Sequence, residues 1–351
     1  MFSSLPFMYM YLLIMGLGTL LSVSSTHWLA IWAGLEINLI GFLPILVYQK
    51  SMSESQSAVK YFVIQALGSS FIMFGSLVVF NMSFMWDMSS NMNGFEIYSL
   101  IMMMIGLCLK LGLFPFHYWL PGVMAGLPWV SCMLLATWQK FAPLFLILCL
   151  LDMNKSYMLG FIVCMISSGS ALIGGLGGMN QTQVRALLAY SSIGHLGWMM
   201  FASMHCEWVM KVYLIIYVSI SISLFFSLWY CDSGKMKNIS NLKGLKSVYM
   251  TIMILLLSLG GLPPLLGFIT KWLVISITVM SPWVLVIFVL IMGSLMSLFY
   301  YLSLFFSVYL SHFKSYNYNM LEFKNKILIM INVMNIMGGA MILMSVLMSY
   351  I

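Results

Sequence analysis

Charged side chains are scarce in this sequence. They make up 7% of its 351 residues, whereas 62% of the residues are hydrophobic. An average soluble domain is about 25% charged and about 45–50% apolar, so the composition excludes an ordinary soluble protein. The apolar stretches are about 20 residues long and recur along the whole chain, without the alternation of a barrel strand. They therefore predict an all-α integral membrane protein.

The sequence also lacks the motifs of a redox, metal or nucleotide site. Its six cysteines form no C-x-x-C pair and are scattered through or beside the apolar stretches, at Cys108, Cys132, Cys149, Cys164, Cys206 and Cys231. Such cysteines usually act as small packing residues. The stretch GGLGG at 174–178 does not match G-x-G-x-x-G, so it indicates close helix packing rather than a dinucleotide site.

Polar residues divide the apolar sequence into about eleven predicted spans, which belong to a single membrane domain covering residues 1–351. The spans are 6–23, 28–48, 57–81, 98–118, 124–150, 156–178, 184–204, 208–230, 248–275, 282–310 and 327–349. Eleven is an odd number, so the two termini are expected on opposite sides of the membrane.

Basic residues are distributed unevenly between the two sides of these spans. If the N-terminus lies on side A, only Lys155 and Lys211 fall on side B. Side A receives ten basic residues: Lys50, Lys60, Arg185, Lys235, Lys237, Lys243, Lys246, Lys314, Lys324 and Lys326. The positive-inside rule makes side A cytoplasm-like, which is the matrix side in a mitochondrion. The basic clusters at 235–246 and 314–326 favour an orientation signal over a nucleic-acid patch, so no nucleic-acid partner is expected.

Four charged residues lie well inside predicted spans: Glu36, Lys110, Lys140 and Lys271. One charge at the centre of a bilayer costs on the order of 2.5–3.5 kcal/mol on insertion scales. In a purely structural interpretation, Glu36 pairs with one lysine and the other lysines extend to the interface. One acid does not pair with three lysines, however. Intramembrane ionisable residues usually mark an ion or proton route, so we favour a functional pathway.

A buried lysine beside a carboxylate can act as a proton switch. Burial favours the neutral amine, whereas a nearby carboxylate favours the charged form. If Glu36 and Lys110 are neighbours, a contact that opens and closes switches the lysine between holding a proton and releasing it. The other lysines then supply a relay.

Glycine and proline interrupt two of the spans close to the buried lysines. KLGLFPFHYWLP begins at Lys110, and SLGGLPPLLGFITKW contains Lys271. A broken helix in a membrane frees backbone groups, which is tolerated where they face protein or a wet cavity. The two spans are the fourth and the ninth, so they run in opposite directions. This spacing predicts inverted five-helix repeats at about 1–150 and 156–310, with 327–349 as an additional helix.

Two histidines also lie in or beside these segments. His195 is in AYSSIGHLGWMM, inside the seventh span, and His117 stands beside Pro115 in the fourth. A lone histidine within a membrane is more often a packed, hydrogen-bonded residue than a proton carrier. Because imidazole exchanges protons near neutral pH and lysines are expected on neighbouring helices, both histidines are candidates for the relay.

Five segments between residues 28 and 275 resemble a known family and occur in its order: WAGLEINLIGFLPIL, KLGLFPFHYWLPGVMAGL, WQKFAPL, GGMNQTQVRALLAYSSIGHLGW and LSLGGLPPLLGFITKW. They resemble the antiporter-like family of respiratory complex I, in its NADH dehydrogenase subunit 2 branch. The 36 methionines and the shortened set of spans resemble the animal mitochondrial form. The resemblance implies two inverted five-helix repeats, each with one broken helix, and a central polar axis.

The resemblance also implies roles for individual residues. Glu36 and Lys110 are expected to form a gating pair, Lys140 and His195 the middle of the relay, and Lys271 the exchange point with the next subunit. FMN, iron–sulfur clusters, NADH and ubiquinone are expected in other subunits, so this chain itself binds no cofactor. The expected partners are other membrane-arm subunits, including neighbouring antiporter-like ones, and membrane lipids. The expected location is the mitochondrial inner membrane, with the N-terminus in the matrix and the C-terminus on the intermembrane-space side.

Two other functions remain open. A free-standing cation/proton antiporter is one, although three lysines and one acid offer no obvious cage of oxygen ligands for a metal cation. A structural spacer in the membrane arm is the other, in which the buried charges only determine packing. In either membrane-arm function, the enzyme activity, proton-translocating NADH:ubiquinone reduction, belongs to the whole complex.

Overall fold

The computed structural model describes residues 7–48, 51–84, 86, 96–154, 156–231, 246–263, 265–279, 281–314 and 332–340. The regular elements among these residues are α-helices, as the composition predicted. The chain forms two compact units, Met1–Met165 and Ile166–Ile351. Their boundary falls inside α8, which spans Tyr157–Met179.

Among the described residues, seven helices precede α8 in the first unit. They are α1 (Met8–Ser24), α2 (Trp28–Leu46), α3 (Met52–Ser83), α4 (Glu96–Leu111), α5 (Trp119–Gly126), α6 (Trp129–Ala136) and α7 (Trp138–Met153). The predicted third span began at 57, but α3 begins at Met52. The reason is a helix cap, because the hydroxyl of Ser51 accepts a hydrogen bond from the backbone N–H of Glu54.

The second unit contributes further helices after α8. They are α9 (Val184–His205), α10 (Glu207–Cys231), α11 (Lys246–Gly260), α12 (Leu266–Thr278) and α13 (Val284–Lys314). A further helical stretch, α14, covers 332–340. The rest of the predicted span 327–349 lies outside the described residues, as do Lys50, Lys155, Lys235, Lys237, Lys243, Lys324 and Lys326 of the charge count. The sidedness of the chain therefore stays a prediction.

Six helical segments among the described residues are long and apolar enough to cross a membrane by themselves: Trp28–Leu46, Met52–Asn81, Trp129–Met153, Tyr157–Met179, Glu207–Trp229 and Val284–Ser307. Four shorter apolar helices, Met8–Ser24, Ile97–Leu111, Met250–Gly260 and Leu266–Thr278, accompany them. Three of these short helices end or begin at the predicted breaks: Ile97–Leu111, Met250–Gly260 and Leu266–Thr278. The total of eleven spans remains a prediction.

The helix of the predicted span 98–118 ends early, at Leu111. Gly112 has a φ of 73°, which favours glycine, and its N–H contacts the carbonyls of Cys108 (2.9 Å) and Leu109 (3.3 Å). The N–H of Leu113 returns to the Cys108 carbonyl at 3.1 Å. This pair of bonds closes a helix end with a left-handed residue and releases the chain in a new direction.

The helix of the predicted span 248–275 is interrupted by the same motif. Gly261 has a φ of 82°, and its N–H contacts the carbonyls of Leu257 (3.1 Å) and Ser258 (3.0 Å). The N–H of Leu262 returns to Leu257 at 3.3 Å. Both helix breaks that glycine and proline predicted are therefore present, and each separates a short helix from its continuation.

Small residues bring α3 and α4 into close contact beside Lys110. A side-chain carbon placed on Gly68 would lie 3.0 Å from the carbonyl oxygen of Gly106 and 3.0 Å from Cγ of Lys110. Small residues at helix interfaces permit this kind of approach in membrane proteins. The close packing brings the polar face of α3 to the end of α4.

Candidate functional site

Lys110 of the first unit is buried, with 6% of its surface exposed, in the last turn of α4. Two side chains bind the backbone around it. The amide of Gln65 on α3 donates to the Lys110 carbonyl at 3.2 Å, and the indole of Trp119 donates to the Leu109 carbonyl at 3.2 Å. Gly112 ends the helix just beyond. The lysine is thus held at the end of a helix whose last carbonyls are partly bound by side chains.

Lys110 and Lys140 line the same cavity. Its volume is ≈ 20 Å³, and a cavity needs about 10–15 Å³ of such space to hold one water molecule. Lys140, 4% exposed, is contributed by α7. The polar side chains of Asn38, Gln65, Gln139 and Tyr61 also line the cavity. Two lysines that lie 30 positions apart in the sequence therefore share a polar space with room for about one water molecule.

A pair of amides joins α2 to α7 at this cavity. Nδ2 of Asn38 donates to Oε1 of Gln139 at 2.9 Å, and Nε2 of Gln139 donates to Oδ1 of Asn38 at 3.2 Å. Gln139 also contacts the sulfur of Met15 on α1 at 3.4 Å. Gln139 directly precedes Lys140, so the pair connects α2 to the first turn of α7.

Glu36 lies within electrostatic reach of Lys110 and of Tyr61 without a hydrogen bond to either. Its Oε1 atom is buried and has no hydrogen-bond partner among the residues that the structure describes. Burying an oxygen of a carboxyl group without such a bond is unfavourable. A carboxyl group in this position gains from a protonated Lys110, which is the interaction that a gating pair requires.

In the second unit, Lys271 on α12 reaches back to the helix break. Its Nζ donates to the carbonyl of Gly260, the last residue of α11, at 2.9 Å, and the residue is 9% exposed. The C-terminal end of a helix carries partial negative charge, which favours a cation there. The break therefore supplies Lys271 with an acceptor in place of a carboxylate.

His195 and Lys271 line a second cavity, of ≈ 10 Å³, together with Ser191 and Ser297. His195 is 8% exposed on α9, and its Nδ1 lies 2.9 Å from the hydroxyl oxygen of Tyr213 on α10. The second unit thus also brings two of the titratable candidates to one polar space.

His117 is buried in the first break but does not line the cavity of Lys110. Its Nδ1 lies 3.2 Å from the carbonyl oxygen of Pro115, and its ring packs against that of Tyr118 at 4.1 Å between centroids. The structure therefore places His117 with the backbone of the break rather than beside the lysines.

Sequence reasoning overlooked the neutral polar residues of both sites. Asn38, Gln65, Gln139 and Tyr61 surround the lysines of the first unit, and Tyr213 contacts the histidine of the second. A signal was available for two of them, because Asn38 follows Glu36 by two positions and Gln139 directly precedes Lys140. A tyrosine inside an apolar helix carries no comparable signal.

Residues 25–299 match the model of the family NADH:quinone oxidoreductase/Mrp antiporter, TM. NADH-ubiquinone oxidoreductase chain 2 of Lumbricus terrestris is 40% identical over 291 residues, which are 82% of this chain and 82% of that protein. The chain 2 protein of Anopheles gambiae is 37% identical over 346 residues, covering 95% of this chain and 96% of the relative.

Solved structures share the fold at lower identity. A chain of respiratory complex I from Thermus thermophilus with bound aureothin has a TM-score of 0.83 and 23% identity, covering 95% of this chain and 78% of its own. A chain of the archaeal membrane-bound sulfane sulfur reductase has a TM-score of 0.83 and 18% identity, covering 94% of this chain and 72% of its own.

Proposed function

Because the chain belongs to the NADH:quinone oxidoreductase/Mrp antiporter family, among the NADH-ubiquinone oxidoreductase chain 2 proteins, and is an antiporter-like subunit of the complex I membrane arm, we propose that it translocates protons. The proposed carriers are Glu36, Lys110, Lys140, His195 and Lys271, with quinone reduction elsewhere in the complex as the driving reaction. The observation that carries the proposal is the pairing of buried titratable groups around one cavity in each unit.

In the first unit, a proton passes between Lys110 and Lys140. A protonated amine donates to a water molecule in the cavity, and that water donates to the neutral amine of the other lysine. Glu36 biases the position of the proton, because a carboxylate stabilises the ammonium form of Lys110 when the two are close. A shift of Glu36 away from α4 then releases the proton towards Lys140.

In the second unit, His195 and Lys271 form the corresponding pair. Lys271 in its charged form is held by the carbonyl of Gly260, and its neutral form gives up part of that interaction. His195 exchanges protons near neutral pH and faces the same cavity. Lys271 is proposed as the exchange point with a neighbouring subunit. His117 was a further candidate, and its contacts with Pro115 and Tyr118 favour a supporting role at the break.

We further propose that the chain contains two inverted five-helix repeats, at about 1–150 and 156–310, with an additional helix at 327–349. The same left-handed glycine motif at Gly112 and Gly261 supports this proposal. The proposed setting is the mitochondrial inner membrane, with the N-terminus in the matrix, other membrane-arm subunits and lipids as partners, and all redox cofactors in other subunits.

The test is proton uptake per NADH oxidised by the reconstituted complex that carries Lys110→Met. We expect coupled turnover to fall by about tenfold or more, because a positioned proton carrier commonly contributes at least that much. Assembly is checked on native gels. Lys60→Met is the matched control, because Lys60 is an exposed lysine on α3 and lines neither cavity.

The outcomes separate the candidate functions. Wild-type turnover and wild-type protons per NADH in an assembled Lys110→Met complex would favour a structural spacer. Cation/proton exchange by the purified chain alone in liposomes would instead favour a free-standing antiporter.

A further inference from the structure

Tyr213 is a buried tyrosine in direct contact with His195. Only 1% of its surface is exposed, and its hydroxyl oxygen lies 2.9 Å from Nδ1 of the histidine. The residue belongs to α10, and its ring meets the imidazole edge to face at 6.1 Å between centroids. Burying a tyrosine hydroxyl in an apolar environment costs free energy unless the hydroxyl forms a hydrogen bond. Here its partner is a candidate proton carrier.

A hydroxyl suits both protonation states of an imidazole. When His195 is neutral with its proton on Nδ1, that N–H donates to the Tyr213 hydroxyl oxygen, and Nε2 is free to accept a proton. When His195 is charged, Nδ1 still donates to the same hydroxyl oxygen, and the added proton is on Nε2. The bond is therefore kept while the proton arrives and leaves. The nitrogen that exchanges the proton is then Nε2 in both directions, since Nδ1 stays engaged with the tyrosine.

The hydroxyl of Tyr213 also lies beside Thr270, the residue that precedes Lys271. The Thr270 hydroxyl donates to the carbonyl of Gly267 at 2.9 Å within α12. Tyr213 therefore touches the helix of the histidine and the helix of the lysine at once. A movement of α12 at its break would therefore change the position of Tyr213 and, through it, that of the His195 ring.

We propose that Tyr213 is a positioning residue of the relay, which holds the His195 ring in one orientation and restricts proton exchange to Nε2. This inference rests on the proposed function, because it assigns a role to Tyr213 only if His195 carries protons. Its partner is the histidine of the same chain, and no additional ligand is needed.

Tyr213→Phe removes the hydroxyl and keeps the ring, so it is the direct test. In the reconstituted complex we expect proton-coupled NADH oxidation, normalised to assembled complex, to fall by about two- to tenfold, which is the range of one lost hydrogen bond. Tyr190→Phe is the control: Tyr190 is half-buried on α9, the helix that carries His195, but it lines neither cavity. It should keep wild-type turnover.

A double-mutant cycle with His195→Gln separates this inference from the proposed function. If Tyr213 acts through the imidazole, Tyr213→Phe has no further effect in the His195→Gln background. If His195→Gln lowers coupled turnover and Tyr213→Phe does not, the role of Tyr213 alone is overturned. Additive effects of the two substitutions in the double variant also overturn it. Wild-type coupled turnover of the His195→Gln complex overturns the relay through His195, and the role of Tyr213 with it.

A second pair of variants covers a failure of Tyr213→Phe to assemble. The amide of Tyr213→Gln both donates and accepts hydrogen bonds, whereas Tyr213→Leu does neither. We expect the Gln variant to retain several times the coupled turnover of the Leu variant. Equal turnover of the two would overturn the inference.

Discussion

Asn38 and Gln139 bond to each other in both directions at the wall of the Lys110–Lys140 cavity. Neither residue is charged, yet each satisfies the polar atoms of the other where water has little access. Amides of this kind allow a cavity to stay polar without adding a titratable group that would compete for the proton. They also connect α2, which carries Glu36, to α7, which carries Lys140.

Gln139→Leu is expected to destabilise the first unit by about 1–3 kcal/mol, because it leaves the buried amide of Asn38 without its partner. The measurement is the temperature at which this subunit dissociates from the solubilised complex. The double variant Asn38→Leu, Gln139→Leu should recover part of the loss, since both polar partners are then replaced. If the double variant loses as much stability as Gln139→Leu or more, the unpaired amide is not the cause of the destabilisation.

At the scale of elements, the two helix breaks are built alike but serve the nearby lysine differently. Lys110 precedes its break by two residues, and its carbonyl is bound by Gln65. Lys271 follows its break by ten residues, and its amine returns to the carbonyl of Gly260. In both places a left-handed glycine stops the helix within an apolar part of the sequence. The freed carbonyls then become acceptors for protein groups rather than for lipid.

Gly261→Ala should uncouple Lys271 from its break. A side chain at this left-handed position costs about 1 kcal/mol, and its carbon would lie 2.9 Å from Nζ of Lys271. We expect the amine to leave the Gly260 carbonyl and protons per NADH to fall. Gly122→Ala is the control, because a carbon there meets nothing within 4 Å. Equal proton yields from the two variants would contradict the role assigned to this break.

In the molecule as a whole, each unit brings two of the candidate proton carriers to a small polar cavity. The cavities of ≈ 20 Å³ and ≈ 10 Å³ hold about one water molecule each at most. Small polar spaces in an apolar bundle favour stepwise transfer between side chains over a continuous water channel. The family relationship and the fold agree with a subunit that works inside a larger membrane assembly.

The predicted orientation has a direct test in isolated mitochondria. Trypsin should cleave at the basic cluster 235–246 only in inside-out inner-membrane vesicles, because the positive-inside rule places that cluster in the matrix. Cleavage after Lys155 should occur only when the outer membrane alone is removed. The reverse pattern would invert the assigned topology.

Much of this arrangement could be predicted from the residues. A charged side chain in an apolar run costs free energy wherever it lies. Glu36, Lys110, Lys140 and Lys271 could therefore be singled out before any packing was known. The helix breaks were predictable because glycine and proline act on the local backbone. The end of α4 at Leu111 rather than at 118 was not, since sequence pattern locates a break but not the residue that takes the left-handed conformation.

The membrane class, the helical secondary structure, the two breaks and the burial of Lys110, Lys140 and Lys271 could be read from the residues alone, because each follows from local composition or local backbone geometry. The packing of the helices was needed to show that Lys110 shares its cavity with Lys140, that Asn38 and Gln139 support it, that Tyr213 contacts His195, and that His117 lies apart. These relations depend on which helix faces pack together. That choice is made by many weak contacts between residues far apart in the chain, and no short stretch of sequence records it.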